Sequence, residues 1–402
     1  MNEVMKKNQR IYLDYNATTP CDPRIVETML PYFTTMPGNA ASRSHPFGWE
    51  AAEAVSNARN QIANLIGADE REIIFTSGAT EGDNLALKGV FEMYRRKGNH
   101  IITVETEHKA VLDTCLYLEK QGGEITYLKV NKAGLINLEE LRAAIKSTTI
   151  LVAIMWANNE TGVIQPMSEI GKICDEEGVL LFSDATQAVG KIPTFPKNIG
   201  IHLMAFTAHK MYGPKGVGAL FVNRRRPRVK LTAQIDGGGH EEGMRSGTLN
   251  VPGIVGFGKA AAIAQAEMEA ESIRLNLLRN KLETALSTEI EECSINGTTE
   301  HRLSQVSNLS FRHVDSEGLL MTFNQNIAVA TGSACTSASL DPSHVLTAMD
   351  IPDDLAKSSI RFSLGRFTTE EEIDFTIEKV KAGTAQLRAL SPVWEMFKEG
   401  LI

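Results

Sequence analysis

From about residue 51 to residue 222 the chain alternates between helical periodicity and short, strand-like apolar runs, and this alternation restricts the fold more than anything else in the sequence. Residues 51–65 repeat apolar side chains at helical spacing, and Glu72-Ile73-Ile74-Phe75-Thr76 reads as a strand. A helix is expected to open near Thr80, followed by a strand at 101–104, a helix through 111–118 and a strand at 125–130. Residues 150–155 form an unbroken apolar strand, 170–174 sit on a helix, and 179–182 form the next strand. Such β/α alternation predicts a mostly parallel sheet covered on both faces by helices. No fixed-period repeat or low-complexity tract interrupts it.

The composition changes after Gly256. Residues 260–286 are rich in Ala, Glu, Leu, Met and Arg and lack proline, as expected of one long helix leaving the first domain. Beyond it come a strand at 307–311, a helix at 317–323, a glycine- and serine-rich stretch at 331–340 and a final helix from about Thr369. This half reads as a smaller α+β domain, joined by an amino-terminal strand at 11–14. The expected division is therefore a large α/β domain over 20–266 and a small domain built from 1–19 and 267–402. With 402 residues, 43% of them hydrophobic and 22% charged, the chain is long enough for two cores.

A net charge of −8 argues against a nucleic-acid-binding surface, and Arg224-Arg225-Arg226-Pro227-Arg228 reads as a solvated loop. No apolar stretch is long enough to span a bilayer. Residues 1–10 are polar and lack the apolar core of a secretory signal, so a reducing cytoplasm is expected. The five cysteines, Cys21, Cys115, Cys174, Cys293 and Cys335, are scattered without a Cys-x-x-Cys pair. They suggest neither a disulfide framework nor a self-sufficient zinc site.

In a parallel sheet, ligands bind beyond the carboxyl ends of the strands. Here one strand runs into Asp184-Ala185-Thr186-Gln187 and another into Thr207-Ala208-His209-Lys210. An aspartate and a lysine brought together there suit pyridoxal phosphate (PLP). The lysine condenses with the aldehyde, and the carboxylate keeps the pyridine nitrogen protonated so that the ring accepts electrons. A strand-end salt bridge beside a surface lysine is the plainer alternative. Thr76-Ser77-Gly78-Ala79-Thr80-Glu81-Gly82 links a strand to a helix whose free N–H groups suit a phosphate. A helix start capped by Thr80 fits the same residues.

His108, in Glu105-Thr106-Glu107-His108-Lys109, lands at the same edge, where an imidazole stacks on an aromatic cofactor and moves protons; a surface or core histidine is the alternative. Asn159, in Trp156-Ala157-Asn158-Asn159-Glu160-Thr161-Gly162, is placed to bond a substrate carboxylate or a cofactor ring oxygen, or else to form an Asx turn. The small polar neighbours of Cys335 in Thr331-Gly332-Ser333-Ala334-Cys335-Thr336-Ser337-Ala338-Ser339 predict an exposed, mobile loop, whereas Cys115 and Cys174 read as core fillers. A thiol in such a loop is a nucleophile to the extent that it ionises, and a free surface cysteine otherwise. Arg361, in Ser358-Ser359-Ile360-Arg361-Phe362-Ser363, offers the rigid donor fork that holds an amino acid's carboxylate, with a structural ion pair as the competitor.

With these residues in hand, the chain resembles the cysteine desulfurases that supply sulfur for iron–sulfur cluster assembly, homodimeric PLP enzymes of fold type I in the class V aminotransferase family. The resemblance runs from Tyr12-Leu13-Asp14-Tyr15-Asn16-Ala17-Thr18-Thr19-Pro20 to Ser363-Leu364-Gly365-Arg366-Phe367. Ser333-Ala334-Cys335-Thr336-Ser337 looks like the longer-loop branch, the housekeeping and nitrogen-fixation types. The resemblance implies a mostly parallel seven-stranded sheet in the large domain and the catalytic cysteine on the small one. It implies that Lys210 carries PLP, Asp184 meets the pyridine nitrogen, Gln187 the phenolic oxygen, and His108 stacks on the ring and relays protons. Ala79, Thr80, Thr207 and His209 would surround the phosphate, with Thr248 reaching it from the partner subunit. Asn159 would help place the substrate, and Arg361 would hold its carboxylate.

The implied reaction converts L-cysteine to L-alanine and leaves the sulfur on Cys335 as a persulfide. From there it passes to an iron–sulfur scaffold protein or to tRNA-thiolation acceptors. Cys335 is also the one metal-ligand candidate, lending a single ligand to a 2Fe-2S cluster being built on the scaffold. Some departures are visible: Thr207 and Thr331 stand where serine is usual, Gly82 where serine is frequent, and Ala40 where proline is usual. The stop at Ile402 makes scaffold docking through the carboxyl terminus a weaker expectation than catalysis. The alternatives are a selenocysteine lyase or an aminotransferase on the same fold, the latter having no need of Cys335, and a non-catalytic sulfur-carrier or scaffold-binding protein, against which the intact set of Lys210, Asp184, His108 and Cys335 argues.

Overall fold

The computed structural model describes residues 10–225, 227–331 and 342–401. A short strand, β1 (Ile11–Tyr12), opens the described chain, and the expected alternation follows. Strands β2 (Ile73–Thr76), β3 (His100–Val104), β4 (Glu124–Leu128), β5 (Thr149–Ala153), β6 (Leu180–Asp184), β7 (Leu203–Thr207) and β8 (Gly218–Val222) form one sheet in the order β2-β8-β7-β6-β5-β3-β4. Only β8 is reversed: it runs antiparallel to both β2 and β7, while the other pairs are parallel. The reason lies in the connection. Residues 208–217 are too few for a parallel crossover, which takes a dozen or more. The return is tight, with Tyr212 and Gly216 both at positive φ. Since β2 and β7 both oppose β8, they run the same way, and the carboxyl ends of β2, β3, β5, β6 and β7 meet at one edge.

Side chains alternate between the two faces of this sheet. Val152, Leu181 and Phe206 belong to one core, packed with residues of helices Pro46–Leu65 and Met167–Glu176. Leu151, Phe182 and Ala205 belong to the other, with helices Ala79–Tyr94 and Lys109–Lys120. Every residue of β5, β6 and β7 is buried, as expected for strands covered on both sides.

The long helix is Val251–Glu289, starting earlier than its alanine-rich stretch, with Asn250 capping it and Pro252 in its first turn. Its first half packs Ile254, Phe257 and Ala261 against the large sheet. Its second half packs Leu275, Leu282 and Leu286 into a separate core with Leu309, Phe311 and Phe362. Around that core lie β9 (Cys293–Ile295), β10 (Val306–Phe311), β11 (Ile327–Ala328), β12 (Ala330–Thr331) and β13 (Ser359–Ser363). The antiparallel sheet runs β12-β13-β10-β9, and β1 pairs in parallel with β11 while Asp14 bridges Ser363. Helix Glu370–Ala389 begins with a Thr369–Glu372 capping box. It is not the last helix: Pro392–Lys398 follows, capped by Ser391.

An ion-pair cluster ties the two halves together. Asp22 accepts from Arg24 at 2.7 Å and from Arg366 at 2.8 Å, and Arg366 also reaches Glu271 at 2.8 Å. The Arg24 hydrogen bonds, opposed by burial and joined by Arg366, hold the Asp22 carboxyl well below the usual carboxylate range. A depressed carboxyl contributes stability that is present above its unfolded pKa and lost as pH falls. We therefore expect Asp22→Asn to lower unfolding stability at pH 7 by about 2–3 kcal/mol. Urea titrations should show the gap to the parent protein shrinking below about pH 4.

Candidate active site

The shared strand edge, the segment Asn16–Thr18 and Arg361 of β13 enclose a cavity of about 560 Å³. Ala79, Thr80, His108, Asn159, Asp184, Gln187, Thr207, His209, Lys210 and Arg361 all line it. Lys210 stands on the tight return between β7 and β8, and its Nζ donates to the carbonyls of Asn16 and of Ala17, the latter at 2.8 Å. Asp184 is the last residue of β6 and is 5% exposed; its Oδ1 accepts the N–H of Thr186 at 2.9 Å. Gln187 donates to the Asn16 carbonyl at 3.0 Å.

His108 caps helix Lys109–Lys120, its Nδ1 accepting the Ala110 N–H at 3.1 Å. That bond assigns the ring proton to Nε2 and leaves it as a donor. The Asx turn allowed for Asn159 is made instead by its neighbour: Asn158 Oδ1 accepts the N–H groups of Glu160 and Thr161 at 2.8 and 3.0 Å. The Asn159 carbonyl accepts from Asn16 Nδ2 and from Arg361 Nη1, each at 3.0 Å. Arg361 also pairs with Asp14 at 2.6 Å, so the ion pair considered for it exists and the guanidinium still borders the cavity.

PLP needs an anion cradle, a lysine, an acceptor for its ring N–H, and partners for its ring oxygen. Helix Ala79–Tyr94 begins at Gly78 without a side-chain cap, which leaves its first N–H groups to the cavity. Thr80 and His209 stand beside it, and Thr207 Oγ1 donates to the Val217 carbonyl at 3.0 Å. Burial, then the nearby lysines 210, 215 and 191, push the His209 imidazole down to about 4, so it meets an anion as a neutral ring. Among the buried side-chain atoms without a partner are Asn16 Oδ1, Thr186 Oγ1 and Gln187 Oε1, all on residues lining the cavity. Buried polar groups are rarely left unpaired, and this clustering marks a polar occupant. The residues present fit PLP.

Sequence reading missed the floor and one wall. Asp83 and Glu107, each 1% exposed, lie close enough to Asp184 to feel its charge. Burial, then the Asp184 and Glu107 carboxyls, push Asp83 well above its ordinary value. Glu107 is raised mainly by burial despite the Met155 N–H that it accepts at 2.5 Å. The signal available was an acid on the buried face of an amphipathic helix, flanked by Gly82, Ala86 and Val90. Asn16 gave no such signal.

Two expected residues stand apart. Thr248 is exposed and does not line the cavity. Cys335, with its metal-ligand reading, lies outside the described residues. The chain leaves the description after Thr331, whose neighbour Ala330 pairs with Arg361, and re-enters before Ser343, which donates to Glu160 at 2.5 Å. Among the described residues, no group of three or more His, Cys, Asp or Glu side chains forms a metal site, and no helix is long and apolar enough to cross a membrane.

Residues 11–375 match the family model for aminotransferase class V. The chain is 57% identical over 394 residues to "Cysteine desulfurase IscS" of Escherichia coli O139:H28, covering 97% of this chain and 96% of that protein. It superposes on a solved "NifS-like protein" with a TM-score of 0.87 at 37% identity, over 93% of this chain and 99% of the other. The NifS-like protein from Rickettsia africae gives 0.83 at 33% identity, over the same shares of the two chains.

Proposed function

Because the chain belongs to the class V aminotransferase family and is a PLP-dependent cysteine desulfurase of iron–sulfur cluster assembly, we propose that the strand-edge cavity is its active site, with Lys210 carrying the cofactor and Cys335 receiving the sulfur. The observation that carries this reading is the convergence of Lys210, Asp184, Gln187, His108 and Arg361 on one cavity. When bound, PLP supplies an aldehyde for the substrate amine and an electron-poor ring.

The protein's own groups do the rest. The capless helix start, with Thr80, Thr207 and His209, would hold the phosphate, and Asp184 would accept the ring N–H. Gln187 Nε2 has a second proton for the phenolic oxygen. His108 donates through Nε2; accepting a proton at Nδ1 would cost it the Ala110 bond that caps its helix. The Asn16 and Ala17 carbonyls are acceptors for the Lys210 amine whenever it is released. Arg361 orients the substrate carboxylate, with Asn159 alongside. Sulfur then moves as the substrate's Cβ–S bond breaks and an S–S bond forms to Cys335, and the carbon fragment leaves as alanine.

The enzyme acts on cysteine and passes its sulfur to acceptors. An iron–sulfur scaffold as the acceptor, transient cluster ligation by Cys335 there, and the cytoplasm as the compartment belong to the proposal. The free state of Cys21, Cys115, Cys174 and Cys293 supports the last of these. A homodimer in which Thr248 of the partner subunit completes the phosphate site also belongs to the proposal. Exposed Phe33, Phe47 and Trp49 supply apolar surface for such contact. The proposed division is 20–266 for the cofactor domain and 1–19 with 267–402 for the small one, in line with the separate core around Leu282 and Phe362.

The test is mass spectrometry after feeding the purified enzyme cysteine. One added sulfur on the peptide containing Cys335 is expected, and none in Cys335→Ser, which should lose alanine formation by at least about 100-fold. Full activity in that variant, or the sulfur on another cysteine, overturns the assignment.

A further inference from the structure

Arg361 is surrounded by more negative charge than one guanidinium can balance once a substrate arrives. Asp14 already bonds Nη2 at 2.6 Å, and the Asn159 carbonyl takes Nη1 at 3.0 Å. Next along the same turn is Glu160, 4% exposed, with Arg361 acting on its carboxyl through space. A substrate carboxylate at Arg361 would be the third anion around that cation. Carboxylates crowded into a buried site do not all remain ionised.

The three differ in how they can respond. Asp14 has a side chain 22% exposed and can turn toward water. Glu160 cannot turn. Its Oε2 accepts from Ser343 Oγ at 2.5 Å, its N–H is held by Asn158 at 2.8 Å, and its carbonyl accepts from Asn308 Nδ2 at 3.3 Å. Ser343 is itself fixed as the cap of helix His344–Ala348, bonding Val345 N at 3.1 Å. A buried acid pinned in this way adjusts to extra negative charge by taking a proton. Its ionisation already sits in the right range: burial raises it, while the Ser343 bond and Arg361 pull back, leaving it at about 7.

Resting on the reading of Arg361 as the substrate-carboxylate site, we propose that Glu160 is a positioning residue whose protonation accompanies substrate capture, so that it sets the charge around Arg361. Among the described residues, the other charged groups in this region are those on the strands and turns around Arg361. Arg361 acts on Glu160 directly, Asp14 is paired with Arg361, Arg361 also acts through space on Lys191, Lys210 lines the same cavity as Arg361, and His344 is tied through Nε2 to the Glu107 carbonyl at 3.0 Å. Capture of the carboxylate then takes up one proton from solvent onto a Glu160 oxygen, and substrate affinity falls as pH rises through about 7.

The test uses PLP-loaded enzyme and L-alanine, the reaction's product, which carries the carboxylate and amine without a thiol. Its dissociation constant is measured by equilibrium dialysis between pH 6 and 8.5 for the parent protein and for Glu160→Gln. The parent should bind alanine roughly tenfold more weakly per pH unit above the Glu160 ionisation, beyond any trend shared by both proteins. Glu160→Gln should lack that extra slope and keep the tighter, low-pH affinity throughout. Identical slopes in the two proteins overturn the proposal. Arg361→Ala separates the two levels: unchanged alanine affinity would refute the carboxylate reading itself, whereas weakened affinity with a retained slope in Glu160→Gln refutes only the role of Glu160. Melting temperatures provide the structural control. A raised acid loses its stabilising contribution as pH rises, so Glu160→Gln should melt at or above the parent at pH 8.5, and a merely structural Glu160 would move melting without moving the slope.

Discussion

Lys210→Ala is expected to abolish covalent cofactor capture and to slow alanine formation from cysteine by at least about 1,000-fold. Lys210 is carried by the short β7–β8 return, which cannot shift without disturbing the β2-β8-β7 part of the sheet. Its Nζ is held at the cavity wall by the Asn16 and Ala17 carbonyls, so the amine is positioned before any cofactor arrives. The chemical competitor is Lys191. Burial, then the neighbouring Lys210 charge, lowers its amine to about 8, so a fraction of it is unprotonated and nucleophilic near neutral pH. Geometry decides against it, because Lys191 borders a separate space of about 10 Å³ beside Glu271 and Ser304, too small for a cofactor. Borohydride reduction of the loaded enzyme followed by peptide mapping checks this. The label should fall on Lys210 and vanish in Lys210→Ala, and a label on Lys191 would reassign the role.

Much of this site was legible because its residues directly follow apolar runs. Asp184, His108, Thr80 and Lys210 each come within a few residues of a strand whose burial on both faces left an unmistakable pattern. The reversal of β8 was not legible from apolarity, since parallel and antiparallel buried strands look alike; only the length of the 208–217 connection distinguishes them. The start of the long helix at Val251 was hidden because its two halves bury different faces against different cores, which blurs a single amphipathic period. Asn16 and Glu160 escaped for another reason. What matters about them is contact across the chain, with Ser343 lying 183 residues from Glu160 and Gln187 171 residues from Asn16. No local spacing reports such pairs. Asp83 was the one missed residue with a local signature, a carboxyl where helical periodicity calls for an apolar side chain.

That carboxyl bears on the second large effect. Asp184→Asn should lower cysteine turnover by about 100- to 1,000-fold, because an amide cannot balance a ring cation in a water-poor pocket. The two acids behind Asp184 should behave in the opposite way. Three carboxyls share the floor, and among the described residues the groups acting on Asp83 are other acids, without a cation. Like charges so placed are relieved when the deeper members keep their protons, which is the direction in which burial pushes both Asp83 and Glu107. Asparagine and glutamine imitate a neutral acid closely, and glutamine at 107 retains an oxygen for the Met155 N–H. Asp83→Asn and Glu107→Gln should therefore keep turnover within about threefold at pH 7, and, since a raised acid loses stability as pH rises, both should resist unfolding better than the parent at alkaline pH. Turnover by the three variants, measured side by side with bound-cofactor absorption, makes the distinction. A loss in Asp83→Asn as deep as that in Asp184→Asn would mean that the charge facing the cofactor is shared across the cluster rather than carried by Asp184, the only one of the three at the end of a strand.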